Sequence, residues 1–182
     1  MSDRKKITKI LSKLTEKHIS PVNDPRIYWA REVTFDYASD HTIRVDYMQF
    51  KPVNSSVSGI EHGDFYCYEI KSSVEDFQSK NGHNMIGDYN YYVMPYEVYC
   101  RVKDQIPWSV GVLCPEVRQA KYWENPGDIQ LPEDLWDFLV SKKKAHRANR
   151  TRPISEMLLM MFRSCRRDTR KEEMIPIDEI KC

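Results

Sequence analysis

Apolar residues Ile7, Ile10, Leu11 and Leu14 recur at helical spacing among lysines, and the stripe predicts an amphipathic helix over residues 5–17. Residues 20–25 contain Pro21 and Pro25 and read as a loop. The period then shortens. Residues 27–37 and 42–50 are rich in aromatic and β-branched side chains, and the turn-like Ala38-Ser39-Asp40-His41 between them predicts a hairpin. Residues 52–63 read as a polar, flexible connection to a third strand, residues 64–71. Side chains alternate along a strand, so Glu69 and Lys71 share one face while Tyr66, Tyr68 and Ile70 take the other.

Ser72 or Ser73 followed by Glu75 or Asp76 signals a helix start, and Asn81-Gly82 ends that helix early. Residues 88–95 form another aromatic strand, 96–103 a short helix, and 108–114 a further core strand. Beyond that, residues 115–132 read as loop with a short strand near 120–123. Residues 132–140 begin as a helix, with Pro132, Glu133 and Asp134 in the first turn. Residues 154–167 carry the stripe Ile154, Met157, Leu158, Met161 and Phe162, expected to pack on the core, and 169–182 read as a loose tail. The alternation of strands and helices predicts an α/β fold, a mixed central sheet flanked by helices. At 182 residues a single domain is expected, with its core over about 25–115 and a basic, helical C-terminal part over about 131–170.

Composition narrows this picture only a little. The chain is 41% hydrophobic and 30% charged, which fits a folded soluble protein, and its net charge of +1 gives no global sign of a partner. With no long apolar run and no signal-peptide pattern, a cytoplasmic protein without membrane contact is expected. The five cysteines (Cys67, Cys100, Cys114, Cys165 and Cys182) lack metal-ligand spacing, and Cys67 and Cys114 read as core residues. His62 and His83 read as solvated loop residues.

The candidate chemistry lies at the end of the third strand. Glu69 and Lys71 stand on one face, and Asp46 lies on the preceding strand. If those strands pair, Asp46 and Glu69 can converge on one Mg²⁺ or Mn²⁺, since hard cations need only one or two carboxylates. A lysine beside such a site can position a water and stabilise developing negative charge. Glu32, on the same hairpin as Asp46, and Gln78, in the helix after the strand, are accessory candidates; Asp64 reads as a turn residue.

Arg44-Val45-Asp46-Tyr47, Tyr68-Glu69-Ile70-Lys71-Ser72-Ser73-Val74-Glu75-Asp76-Phe77 and the strand ending Tyr92-Val93-Met94-Pro95 resemble the PD-(D/E)XK nuclease superfamily. Within it they resemble the MmcB-like proteins associated with DNA repair. The resemblance spans roughly residues 31–167, and Val45 stands where the superfamily's proline would be. It implies a restriction-endonuclease-like core and metal-dependent cleavage of DNA, with Asp46 and Glu69 as metal ligands and Lys71 as the catalytic lysine. Many nucleases of this fold dimerise, so a homodimer is compatible with it.

Residues 142–171 hold eleven Lys or Arg against Glu156 and Asp168. Of these, Lys142, Lys143, Lys144, Arg147, Arg150, Arg163, Arg166 and Arg167 are the candidate nucleic-acid contacts, DNA being the favoured partner. Two rival readings stand beside the nuclease. One is an inactive nucleic-acid- or protein-binding module on the same fold; the other is a phage inhibitor of host defence acting by protein contact.

Overall fold

A computed structural model describes residues 3–20, 27–79, 81–117 and 136–173, the side chains of 3 and 169–173 excepted. Six strands form one mixed sheet in the order of the chain: β1 (Tyr28–Phe35), β2 (Ile43–Lys51), β3 (Asp64–Ile70), β4 (Tyr89–Val93), β5 (Gly111–Glu116) and β6 (Phe138–Lys143). β1, β2 and β3 pair antiparallel, β3, β4 and β5 pair parallel, and β6 returns antiparallel to β5. This is an α/β fold with a mixed sheet flanked by helices, and the hairpin and the order of its core strands follow the hydrophobic pattern.

The helix α1 (Asp3–Ile19) covers one face. Its Leu11, Leu14 and Ile19 pack on Tyr47, Tyr68, Ile70, Val93 and Leu113. The opposite face carries two separate clusters. Over β1 and β2, Met157 and Met161 of α5 (Ile154–Glu173) meet Ala30, Val33, Phe35, Met48 and Phe50. Over β4 and β5, Phe77 of α3 (Val74–Gln78) and Val98 and Val102 of α4 (Tyr96–Val102) meet Tyr92, Val112 and Cys114. Cys67 belongs to the first cluster and Tyr92, opposite Glu69, to the second, so Glu69 falls in the seam between them.

Four expectations need correction. Residues 138–140 are strand, not helix, because Leu139 and Val140 pair with Pro115 and Cys114; the C-terminal part is therefore not wholly helical. The connection over 52–63 contains a short helix, α2 (Val57–Glu61), whose cap Ser56 accepts a hydrogen bond from the Gly59 N–H. α5 runs to Glu173, past the start of the expected tail. Phe162 does not join the core and stands 70% exposed, since α5 turns only its Met157 and Met161 side fully inward. The loop at 21–25, the short strand near 120–123, the helix start at 132–135 and the end of the chain after 173 lie outside the described residues. Among the described residues, no helix is long and apolar enough to cross a membrane.

Candidate functional site

The β1–β2 hairpin breaks its own alternation at one point. Ala30 and Val33, and opposite them Met48 and Val45, all enter the same cluster although each pair is three positions apart. The regular pairing skips Glu32 and Asp46, and Glu32 adopts φ 50°. This is the signature of a local kink in a strand pair. It turns Asp46 toward the end of β3, where its Oδ2 accepts the Ile70 N–H at 2.9 Å.

Glu69 and Lys71 are 1% and 2% exposed. Glu69 Oε1 is buried and has no hydrogen-bond partner among the described residues. Burial and then the nearby Asp46 raise the Glu69 carboxyl to about 9, while Lys71 and Asn84 pull it the other way. Burial likewise raises Asp46 and lowers Lys71; for Lys71, Asp76, Glu69 and Asp46 oppose the shift. The Lys71 ammonium donates to the backbone carbonyls of Asn81 and Asp76.

These side chains line a cleft of ≈ 350 Å³ with Arg44, Asp76, Gly82 and Asn84. Asp76 closes one side, its Oδ2 accepting from the Ser72 N–H at 2.9 Å and its Oδ1 from Arg4 at 2.7 Å. The expected helix start is real, with Ser73 Oγ accepting the Asp76 N–H. The other wall is the loop after α3. His83 anchors it: Nε2 lies 2.8 Å from the Phe77 carbonyl and Nδ1 faces the Tyr92 hydroxyl, so a neutral ring donating from Nε2 accepts from Tyr92. His83 is thus tied into the loop rather than simply solvated.

No protein-family model matches the chain, and neither does any protein in a search of curated sequences. A solved structure of a Silicibacter pomeroyi protein of unknown function is similar at TM-score 0.53 and 14% identity, covering 93% of this chain and 92% of that one. The likeness is one of fold.

Asp46, Glu69 and Lys71 therefore meet, whereas the accessory candidates do not join them. Glu32 is exposed on a neighbouring groove, 3.6 Å from Arg167, and Gln78 is exposed on α3 and does not line the cleft. Among the described residues no group of three or more His, Cys, Asp or Glu is arranged to hold a metal. The oxygen-only pair Asp46 and Glu69, one oxygen unmet, nonetheless suits a hard divalent cation that keeps several waters.

The basic C-terminal run sits elsewhere. Arg147 lies 2.8 Å from Asp64 Oδ1, as an ion pair rather than an aligned hydrogen bond, and Arg150 lies 3.2 Å from Asp88. The His146 and Ala148 amides donate to the Ser109 and Asp88 carbonyls. These partners precede or open β3, β4 and β5, whereas the cleft lies at the far end of β3, roughly 16 Å away at strand rise. Lys142 pairs with Glu116, and Lys143 donates to the Pro107 carbonyl at 2.6 Å. Lys144, Arg163 and Arg166 are exposed, and Arg167 is bonded to the Arg31 and Glu32 carbonyls.

Gly82 and Asp76 join the site without having been marked for it by the sequence pattern, which shows one only as a helix breaker and the other as part of a cap. Gly82 has φ 66°, and a Cβ there would stand 3.0 Å from both Glu69 Oε2 and Lys71 Nζ. Gly82→Ala is expected to lower stability by about 1 kcal/mol through its left-handed backbone and by crowding both side chains. Gly82→Asn, which tolerates that backbone, should show a smaller loss in melting temperature. Equal melting temperatures for wild type and Gly82→Ala would refute the backbone argument.

Proposed function

We propose that this chain is a metal-dependent nuclease with a restriction-endonuclease-like variant of the α/β fold, hydrolysing phosphodiester bonds in DNA as the PD-(D/E)XK resemblance implies. The observation that carries the reading is the buried Glu69 carboxylate, one oxygen unmet, beside Asp46 and Lys71 in an open cleft. Asp46, half-buried, accepts the Ile70 N–H, but Glu69 is buried with no partner for Oε1, and burial disfavours ionisation of both carboxyls. Asp46 and Glu69 would hold Mg²⁺ or Mn²⁺, which when bound supplies Lewis acidity and an activated water. Asp46 is steadied by the Ile70 N–H, and the carbonyls of Asn81 and Asp76 fix the Lys71 ammonium next to the carboxylates. From there Lys71 orients the attacking water and offsets charge developing on the phosphoryl oxygens. Gly82 leaves the approach to both side chains open. Cytoplasmic residence belongs to the same reading.

The test is a panel of labelled DNA and RNA substrates (duplex, single strand, flap and junction) with Mg²⁺ or Mn²⁺. Wild type should cleave at least one DNA substrate, and Lys71→Ala should lower the rate by roughly 10² or more. Cleavage unaltered by Lys71→Ala would remove the assignment. One observation favours a second reading, nucleic-acid binding without cleavage: the Lys71 ammonium already donates to backbone carbonyls. Calorimetry showing no Mg²⁺ or Mn²⁺ binding, with salt-sensitive DNA binding retained, would select it.

A further inference from the structure

The cleft does not end at Asp46. Arg44, Asp46, Ile70 and Asp76 also line a second, larger groove of ≈ 670 Å³ that runs beneath α1. The polar side of α1 supplies its wall through Arg4, Lys9 and Lys13, and Arg31 and Glu32 of β1 stand across from them. α1 is oriented along this path. Arg4 at its start binds Asp76 at the cleft, and the Ile19 carbonyl at its end accepts from Gln49.

The charges in the groove are not all available. Glu16 accepts from the Tyr47 hydroxyl at 2.9 Å, Glu32 faces Arg167, Asp76 is taken by Arg4 and Ser72, and Asp168 by Arg31. Once these are matched, Asp46, which accepts the Ile70 N–H, is the groove carboxylate with no ion pair among the described residues. On the cationic side Lys9, Lys13 and Arg44 are exposed and make no ion pair among the described residues, though the Arg44 charge acts on Asp46 and Glu69. Lys9 and Lys13 are one helical turn apart, so both present to the same side. Arg44 stands where groove and cleft join.

We propose that this groove carries a phosphodiester strand into the cleft, with Lys9, Lys13 and Arg44 as its phosphate contacts. The inference rests on the nuclease reading and gives it a substrate path. It moves the nucleic-acid interface from the C-terminal basic run, whose Arg147 and Arg150 are held by Asp64 and Asp88 at the other end of β3, to the N-terminal helix. A backbone contact of this kind is blind to sequence and steeply salt-dependent.

The experiment is fluorescence anisotropy of a short fluorescein-labelled oligonucleotide, single-stranded and duplex, without divalent cation so that binding is read apart from cleavage. Lys9→Glu/Lys13→Glu is expected to weaken binding by roughly tenfold or more at low salt and to lower the salt slope by about 1 per lysine. Lys142→Glu/Lys144→Glu should leave affinity within about twofold of wild type. Melting temperatures establish that both double variants are folded, and Lys9→Gln/Lys13→Gln should fall between wild type and the charge reversal. The path is overturned if wild type binds neither probe at low salt, or if the C-terminal pair and not the α1 pair carries the loss. The two readings fail separately. Cleavage with no dependence on α1 removes the path alone, whereas α1-dependent binding without metal-dependent cleavage removes the nuclease reading alone.

Discussion

Glu69→Gln is expected to stabilise the metal-free protein at mildly alkaline pH and, on the proposed nuclease reading, to abolish any response to Mn²⁺ and any cleavage of DNA. Burial, and then the neighbouring Asp46, push the native Glu69 carboxyl up to about 9 from the 4.5 of an unperturbed glutamate. Between those values the native state holds a proton that the unfolded chain has released. Stability therefore falls as pH rises through that window, and the contribution is fully present only below the unfolded value. Each tenfold difference in proton affinity between the two states is worth about 1.4 kcal/mol, so the decline is on the order of a few kcal/mol across the window. In a domain of this size that is about 2–4 °C in melting temperature per kcal/mol. Asp46, raised by burial, adds to the slope with the same sign. Glutamine is neutral throughout and removes the Glu69 contribution.

A cation bound as proposed would take the place of the proton, so on that reading Mn²⁺ should stabilise wild type more at the alkaline end and the variant hardly at all. The check is a set of thermal melts from pH 5 to 9 with and without Mn²⁺. A wild-type melting temperature that does not fall with pH, or a Mn²⁺ shift retained by Glu69→Gln, would count against the site.

The second large effect concerns stability and not chemistry. Asp88 is 3% exposed; its Oδ2 accepts the Phe65 N–H at 2.9 Å and faces Arg150 at 3.2 Å, while its carbonyl accepts the Ala148 N–H at 2.8 Å. Arg150 also lies over the Phe65 ring. Asp88→Ala leaves a half-buried guanidinium with the Gly63 carbonyl at 3.3 Å in place of a carboxylate, and a buried Phe65 amide without its acceptor. A loss of about 3 kcal/mol is expected, read as a lower urea midpoint. Asp88→Asn, which still accepts from Phe65, should lose less. On the proposed groove path, any affinity for DNA in the surviving folded fraction should be unchanged, because this network lies at the opposite end of β3 from the cleft. A loss below about 0.5 kcal/mol for Asp88→Ala would show that Arg150 finds other partners.

Much of the architecture is legible in the sequence because it is written locally. The α1 stripe, the hairpin, the Ser73 cap and the shared face of Glu69 and Lys71 depend on neighbours within a few positions. Helix and strand compete evenly at Trp136 to Val140, where a short apolar run follows acids and a proline; pairing with β5, more than twenty residues back, decides for strand. The surroundings of the basic run are likewise set over a distance along the chain. Arg147 and Arg150 read as free charges until the sheet brings Asp64 and Asp88 beside them. Gly82 is visible only as a helix breaker, since what a side chain there would strike depends on the return of the loop over Glu69 and Lys71.

The kink at Glu32 and Asp46 also determines how the site can be watched. At that point the bond expected between two backbones passes instead from the Ile70 amide to a titratable side chain. The exchange of that one amide proton with solvent deuterium is thereby coupled to the state of Asp46, and so to whatever Asp46 binds. Tyr68, two residues earlier, faces Tyr47 in regular pairing and supplies the internal reference. The fold thus carries a spectroscopic reporter of cleft occupancy that needs neither a label nor a turnover.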